Sequence, residues 1–312
     1  MTRSLKKCVL IVNPRSGTSD KGRIVRLALS ELLKAGITVK TVYTERPAHA
    51  TELAEAAACD GADIVVAMGG DGTVNEVARG LCNTSSTLGI IPVGSGNGLA
   101  RHLQIPLNPE GAIGVITAGV AQQCDYCTVN NRPFFCTFGI GFDAAVSDRF
   151  ASRPGQRGLV NYLRSAVEEL INFRSEEYSI LCDDVEIKEK AFVVACCNAA
   201  QYGNNAFIAP RASITDGLMD VTVIHSSNII QHAINGIDLM LGLIRNGARA
   251  RTFQTARLVI MRSHSGPVHL DGDPAQMGPR LVVRCHRGGL RVFSPGEMKV
   301  KPIITPLNHI TL

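Results

Sequence analysis

With 312 residues the chain is long enough for two domains or one large one, and its 45% apolar share excludes an intrinsically disordered protein. The 30 glycines and 14 prolines follow no period, so a collagen-like chain is excluded as well. A net charge of +5 is mild for a nucleic-acid binder but suits anionic phosphate or an anionic membrane; with no Trp and 5% aromatics, base stacking and interfacial anchoring have little material. Residues 1–7 are polar and lead straight into an apolar run, and no stretch approaches about 18 consecutive apolar residues, so neither a signal peptide nor a spanning segment is expected.

Apolar runs alternate with helical periodicity through the first third. A buried strand is predicted at 8–12, followed by Asn13-Pro14-Arg15-Ser16-Gly17, and a helix at 22–35 carries Ile24, Leu27, Ala28, Leu32 and Ala35 on one face. A strand at 38–44, a helix at 51–58 and a continuous apolar strand at 64–68 come next, ending in Gly69-Gly70-Asp71-Gly72. Thr73-Val74-Asn75-Glu76 matches a capping box, Thr73 as N-cap and Glu76 reaching back to it. A fourth strand at 88–92 precedes Gly94-Ser95-Gly96-Asn97, and Asn108-Pro109 opens another helix. This alternation predicts an N-terminal three-layer α/β domain around a parallel sheet.

The pattern changes near residue 123. Strands at 124–129 and 133–138 flank an Asn130-Asn131 turn, helices are predicted at 158–173 and 229–245, and short strands at 177–182, 191–197, 219–224, 253–261, 267–270 and 281–285. The expectation is an α/β domain over 1–124 and a mainly β, sandwich-like domain over 125–295. The ten cysteines lie mostly in apolar runs and read as small buried hydrophobes of a reducing, cytoplasmic compartment; Cys124-x-x-Cys127 has no second pair at zinc spacing.

The chemistry concentrates in Gly69-Gly70-Asp71-Gly72-Thr73. A phosphate chain needs close backbone approach, which glycines permit, and a helix N-terminus supplies positive potential. A carboxylate inside such a loop makes sense when a divalent cation bridges it to the phosphates. The loops at 13–17 and 94–97 fall at the same, carboxyl end of the strands, where open parallel sheets bind ligands. Neither a Walker A loop nor a complete GxGxxG follows the first strand.

Taken with Pro92-Val93 before the third loop, these three loops resemble the diacylglycerol-kinase catalytic domain, particularly the small bacterial soluble lipid kinases related to sphingosine and ceramide kinases. Gly139-Ile140-Gly141-Phe142-Asp143, Asp216-Gly217-Leu218 and Asp271-Gly272-Asp273, where the family has Asp-Gly-Glu, extend the resemblance along the chain. The resemblance implies an ATP- and magnesium-dependent lipid kinase with a role in phospholipid metabolism. ATP would contact Asn13, Pro14, Arg15, Ser16, Gly17, Thr44, Gly69, Gly70, Asp71, Gly72, Thr73, Val74, Asn75, Glu76 and Ser95. A structural magnesium would take Asp216, the Leu218 carbonyl and Ser213. Asp273 would be the general base, Asp71 the magnesium and phosphate organiser, and Asp271 a second acid orienting metal. Segment 296–312 would pack back on the first domain.

The implied partner is a lipid such as diacylglycerol at a membrane surface, met transiently; nucleic acid is not expected, and the oligomeric state, a homodimer included, is left open. Arg245, Arg249, Arg251, Arg257 and Arg262 read first as a solvated face and second as a headgroup patch, and Arg153 and Arg157, in a Gly/Pro loop before the helix predicted at 158–173, are a further candidate for the membrane side. The apolar residues of helix 229–245 read as core. A nicotinamide-dinucleotide kinase shares the Gly-Gly-Asp-Gly loop and is the alternative enzyme; a non-catalytic lipid- or nucleotide-binding regulator is the alternative of another class.

Overall fold

A computed structural model describes residues 6–17, 20–152, 166, 168–170, 173–202 and 206–296. They form two compact units. The first takes the described residues of Met1–Phe135, with Ile214–Gly217 and Cys285–Met298; the second takes those of Cys136–Ser213 and Leu218–Arg284.

In the first unit β1 (Lys6–Val12), α1 (Lys21–Lys34), β2 (Ile37–Tyr43), α2 (His49–Cys59), β3 (Ile64–Gly69), α3 (Asp71–Leu81) and β4 (Thr87–Pro92) alternate as the sequence predicts. The parallel order is β2-β1-β3-β4. β3 and β4 are buried at every position, as continuous apolar runs must be when helices cover both faces of a sheet. On one face Cys8, Leu10, Val12, Ile64, Val66 and Met68 pack with Ile24, Ala28 and Leu32 of α1 and with Ile113 and Ile116 of α5 (Pro109–Ala118). Asn108 caps α5 by accepting the Gly111 N–H at 2.7 Å, with Pro109 at the first helical position. A short α4 (Gly98–His102), which the sequence reading did not contain, follows the third loop.

The capping box at Thr73 does not form. α3 starts at Asp71, directly out of β3, with Gly70 as N-cap and no side chain capping it. Thr73 is therefore already the third helical residue, and Glu76 lies a turn too far along to reach back. Its carboxylate instead accepts the N–H groups of Ala48 (2.9 Å) and Ala50 (3.1 Å), closing the start of α2, where Ala48 has φ 64° and offers no side-chain cap.

β5 (Ala121–Val129) runs unbroken through the expected boundary at 124 and turns through Asn130 and Asn131, both at positive φ, into β6 (Arg132–Phe134). Cys124 and Cys127 stand three apart on a strand, on opposite faces, so they cannot share one ligand. The chain re-enters the first unit at Cys285 on β15 (Arg280–Phe293), whose Arg291 and Val292 pair parallel with β4. Residues 297–312, where the packing-back was expected, lie outside the described residues.

The second unit is antiparallel. β7 (Thr137–Gly141), β8 (Glu176–Cys182), β9 (Val185–Cys197), β10 (Met219–His225), β11 (Ala250–Thr255), β12 (Arg257–Met261), β13 (Gly266–Leu270) and β14 (Asp273–Met277) pair in the order β14-β13-β7-β9-β10-β11 and, through the first half of β9, in the order β9-β8-β12-β15. Serving both ladders, β9 alternates exposed and part-buried residues at first and is wholly buried at its end. The single strand expected at 253–261 is two, because β11 pairs with β10 while β12 pairs with β8 and β15.

α6 (Phe142–Ala151) follows β7, and α7 (Ile229–Leu241) ends at a left-handed Gly242 rather than continuing to 245. The core reading of α7 is corrected in part: Ile234 and Ile237 are exposed, while Leu239 packs on the second unit's apolar cluster. Most of the helix expected at 158–173, with Arg153 and Arg157, lies outside the described residues. The arginine group is not one patch. Arg249 pairs with Asp238 (2.7 Å), Arg251 pairs with Glu189 (2.6 Å), and Arg262 is buried, donating to the carbonyls of Gly266, Pro267 and Met277.

Candidate active site

The strand order of the first unit changes direction between β1 and β3, since the chain leaves β1 for β2 on one side and returns past it to β3 on the other. Ligands of open α/β sheets bind at such a switch point, outside the carboxyl ends of the strands. Asn13, Thr44, Gly70 and Val93 all leave the sheet at that rim, tied by main-chain bonds: Asn13 N–H to the Met68 carbonyl (3.0 Å), Thr44 N–H to Val12 (2.9 Å) and Val93 N–H to Gly69 (2.9 Å).

Side chains then lock the three loops together. The Asn13 amide donates to the Thr73 hydroxyl at 2.9 Å while its oxygen accepts the Arg15 N–H at 2.9 Å. Asp71 crosses to the third loop, its two oxygens accepting the N–H groups of Asn97 (2.8 Å) and Gly98 (2.6 Å) at the start of α4. Arg101 donates to the Gly96 carbonyl at 2.8 Å, which braces the same loop from behind.

The glycines are needed for contact rather than for turning alone. A Cβ on Gly94 would stand 2.6 Å from the Gly70 Cα, and one on Gly17, where φ is +60°, only 1.9 Å from the Val93 carbonyl oxygen. Gly17→Ala is therefore expected to push the first loop off the rim and raise the KM for nucleotide at least tenfold, with the fold retained. Nucleotide titration with circular dichroism checks it, and an unchanged KM would show that the first loop does not touch the nucleotide.

Of the expected contact residues, Pro14, Arg15, Gly17, Gly72 and Ser95 are exposed, while Asn13, Ser16, Thr44, Gly70 and Asp71 are partly buried. Val74 and Asn75 are buried in α3, so any contact there would come through backbone. α3 itself begins with no side-chain cap, unlike α1, α5 and α7, which Asp20, Asn108 and Asn228 close. The first N–H groups of a helix have no intrahelical partner and carry its positive end, and here they open at the switch point.

In the second unit Asp271 and Gly272 form the two-residue turn of the β13–β14 hairpin, with φ values of 53° and 88°, the geometry of a type I′ turn. Asp271 has a structural occupation. Its carboxylate accepts the N–H groups of Cys136 (2.6 Å) and Thr137 (2.8 Å), and its own N–H donates to the Thr137 carbonyl (2.7 Å). Asp273, next along, is exposed and opens β14 opposite Leu270.

Sequence reasoning passed over Asp125. It is 2% exposed in the first unit, and its carboxylate accepts the N–H groups of Gly217 (2.6 Å) and Gly288 (2.6 Å). It thereby ties the segment carrying Asp216 to β15. Among the described residues no group of three or more His, Cys, Asp and Glu side chains stands close enough to hold a metal. Ser213, Asp216 and Leu218 would supply a hydroxyl, a carboxylate and a carbonyl, all hard oxygen donors of the kind magnesium prefers.

A glycine-cradled switch point beside an uncapped helix is where open α/β sheets take their ligands. Residues 7–129 match the diacylglycerol kinase catalytic domain, and residues 137–294 match the YegS C-terminal NAD kinase beta sandwich-like domain. The chain belongs to the diacylglycerol kinase catalytic-domain family, and it is a kinase of the lipid-kinase type. It is 30% identical to the diacylglycerol kinase of Staphylococcus aureus over 96% of both chains. It is also 30% identical to a probable lipid kinase YegS-like of Pectobacterium atrosepticum, over 72% of this chain and 77% of that one. A crystal structure of a putative diacylglycerol kinase from Bacillus anthracis superposes with a TM-score of 0.79 at 22% identity, covering 94% of this chain and 98% of that one, and shares the fold. No helix among the described residues is long and apolar enough to cross a membrane.

Proposed function

We propose that the protein transfers the γ-phosphate of magnesium-ATP to a hydroxyl of a lipid such as diacylglycerol. The observation that carries this reading is the side-chain-locked rim of three loops at the switch point, with α3 left open at its positive end. Most phosphoryl-transfer catalysis is positioning and charge stabilisation, and side-chain hydrogen bonds join the loops of this rim. Gly70 to Thr73 hold the phosphates through backbone N–H groups, while Asn13 to Gly17 close the site from the side, most of their own N–H groups being spent within the rim, and Thr44 and Ser95 contact the nucleotide at the margins.

Magnesium at a nucleotide usually takes one or two protein carboxylates, with phosphate and water completing its shell. Asp71 fits as that carboxylate. Each of its oxygens accepts one backbone N–H, and a carboxylate oxygen has capacity for a further partner. When bound, the metal neutralises charge building on the phosphate oxygens. Asp216, Ser213 and Leu218 would supply a carboxylate, a hydroxyl and a carbonyl to a second, structural magnesium. Asp273 removes the proton from the attacking lipid hydroxyl; being one methylene shorter than the family's Glu, it acts from closer in or through one water.

The test is transfer of labelled γ-phosphate from ATP, with magnesium, across dispersed diacylglycerol, a sphingoid base, phosphatidylglycerol and NAD. A phosphorylated lipid supports the reading. Phosphorylation of NAD alone would replace the acceptor class, and neither transfer nor ATP hydrolysis would make the protein a binding regulator. The kinship with diacylglycerol and lipid kinases favours the lipid arm.

A further inference from the structure

We propose that the buried chain Tyr202–Asp143–His269 is a positioning device for the Asp273 turn, an inference that rests on the proposed role of Asp273. Asp143, in the first turn of α6, is 8% exposed and His269, on β13, is 2% exposed. One oxygen of Asp143 accepts the Tyr202 hydroxyl at 2.8 Å and meets His269 Nε2 at 3.0 Å; the other accepts the Ala144 N–H at 2.8 Å. On its far side His269 Nδ1 accepts the Gly272 N–H at 3.4 Å, a long bond, which leaves the ring proton on Nε2, pointing at Asp143.

A buried carboxylate is costly unless every lone pair finds a partner, and an apolar group of the same volume would pack there without that cost. The sequence also makes room for it. Gly139 stands directly opposite His269 on the β7–β13 ladder, and a Cβ there would lie 2.2 Å from the Asp143 carboxylate and 2.3 Å from His269 Nε2. The motif Gly139-Ile140-Gly141-Phe142-Asp143 thus serves to seat this pair, Gly141 taking φ 97° against the Phe192 carbonyl.

Hydrogen bonds, unlike apolar contacts, fix direction. The turn is consequently tethered twice to the same stretch of chain, by Asp271 on the N–H groups of Cys136 and Thr137 and by His269 on Asp143. Asp273 is the next residue after those tethers, is exposed, and pairs with Leu270 at the start of β14, so the tethers set where its strand begins. Tyr202, His269 and Asp143 touch no reacting group and act only by holding Asp273 where a proton can be taken.

The test is a double-mutant cycle between His269→Leu and Asp273→Asn, read as kcat and nucleotide KM, with thermal melts to establish folding. Alone, His269→Leu should lower kcat about 10²-fold, as loss of about 1 Å of placement does, with nucleotide KM unchanged. In the Asp273→Asn background it should lower kcat no further, because a positioning residue has nothing left to position. If the two losses multiply, His269 does not act through Asp273 and the proposal fails, while the base assignment stands. If Asp273→Asn alone leaves kcat intact, the base assignment itself fails. Should His269→Leu not fold, Tyr202→Phe, which removes one hydroxyl, is read in the same cycle. A smaller loss that vanishes in the Asp273→Asn background supports the proposal, and an additive loss overturns it.

Discussion

Asp71→Ala is expected to abolish measurable phosphate transfer, a fall of more than 10³-fold in kcat/KM, while the first unit stays folded. Two effects add. The third loop loses its two charge-assisted bonds at Asn97 and Gly98, each worth about 1.5–3 kcal/mol, so Ser95 and the start of α4 drift from the rim. The site also loses the one carboxylate proposed to face the nucleotide's magnesium. Asp71→Asn separates the two, since the amide oxygen can still accept one N–H but carries no charge. Measured over a range of magnesium concentrations, the asparagine variant should retain the loop and need far more metal. Ordinary turnover by Asp71→Ala would remove both roles at once.

Asp273→Asn is expected to cut kcat by roughly 10²–10⁴-fold, the range for loss of a general base, with little change in nucleotide affinity. Asp273 is exposed, and the carboxylate that bonds the turn to Cys136 and Thr137 is that of Asp271, so replacing Asp273 should leave the turn in place. Asp271→Asn should behave in the opposite way. Its oxygen receives two N–H groups, and weakening them loosens the hairpin and lowers the melting temperature along with the rate. A normal kcat in Asp273→Asn would move the base elsewhere.

What the sequence revealed and what it concealed divide by range. The glycine loops after β1, β3 and β4 were visible because a continuous apolar strand, a glycine cluster and a new helical period are each written in consecutive residues. The turn at Asp271-Gly272 was visible for the same reason. The capping box at Thr73 misled because the local pattern is silent about where the preceding strand ends; β3 runs directly into α3, and Glu76 was free to close a helix 26 to 28 residues upstream. Asp125 binds partners 92 and 163 positions away, and Asp143 meets His269 across 126, so no spacing rule could have joined them. The same limit explains the arginines near residue 250, which read as one basic run but take partners on different elements, Asp238 on α7, Glu189 on β9 and main-chain carbonyls around β13.

The bare start of α3 has a consequence for the whole molecule. A triphosphate seated there would complete a helix that the polypeptide leaves unfinished, so the nucleotide becomes part of the folded architecture as well as a reactant. By mass action, saturation at a hundredfold excess over Kd would raise the free energy of unfolding by about 2.7 kcal/mol. Calorimetry should then register the same upward shift with a non-hydrolysable analogue, and in a protein whose base has been removed, although neither can turn over.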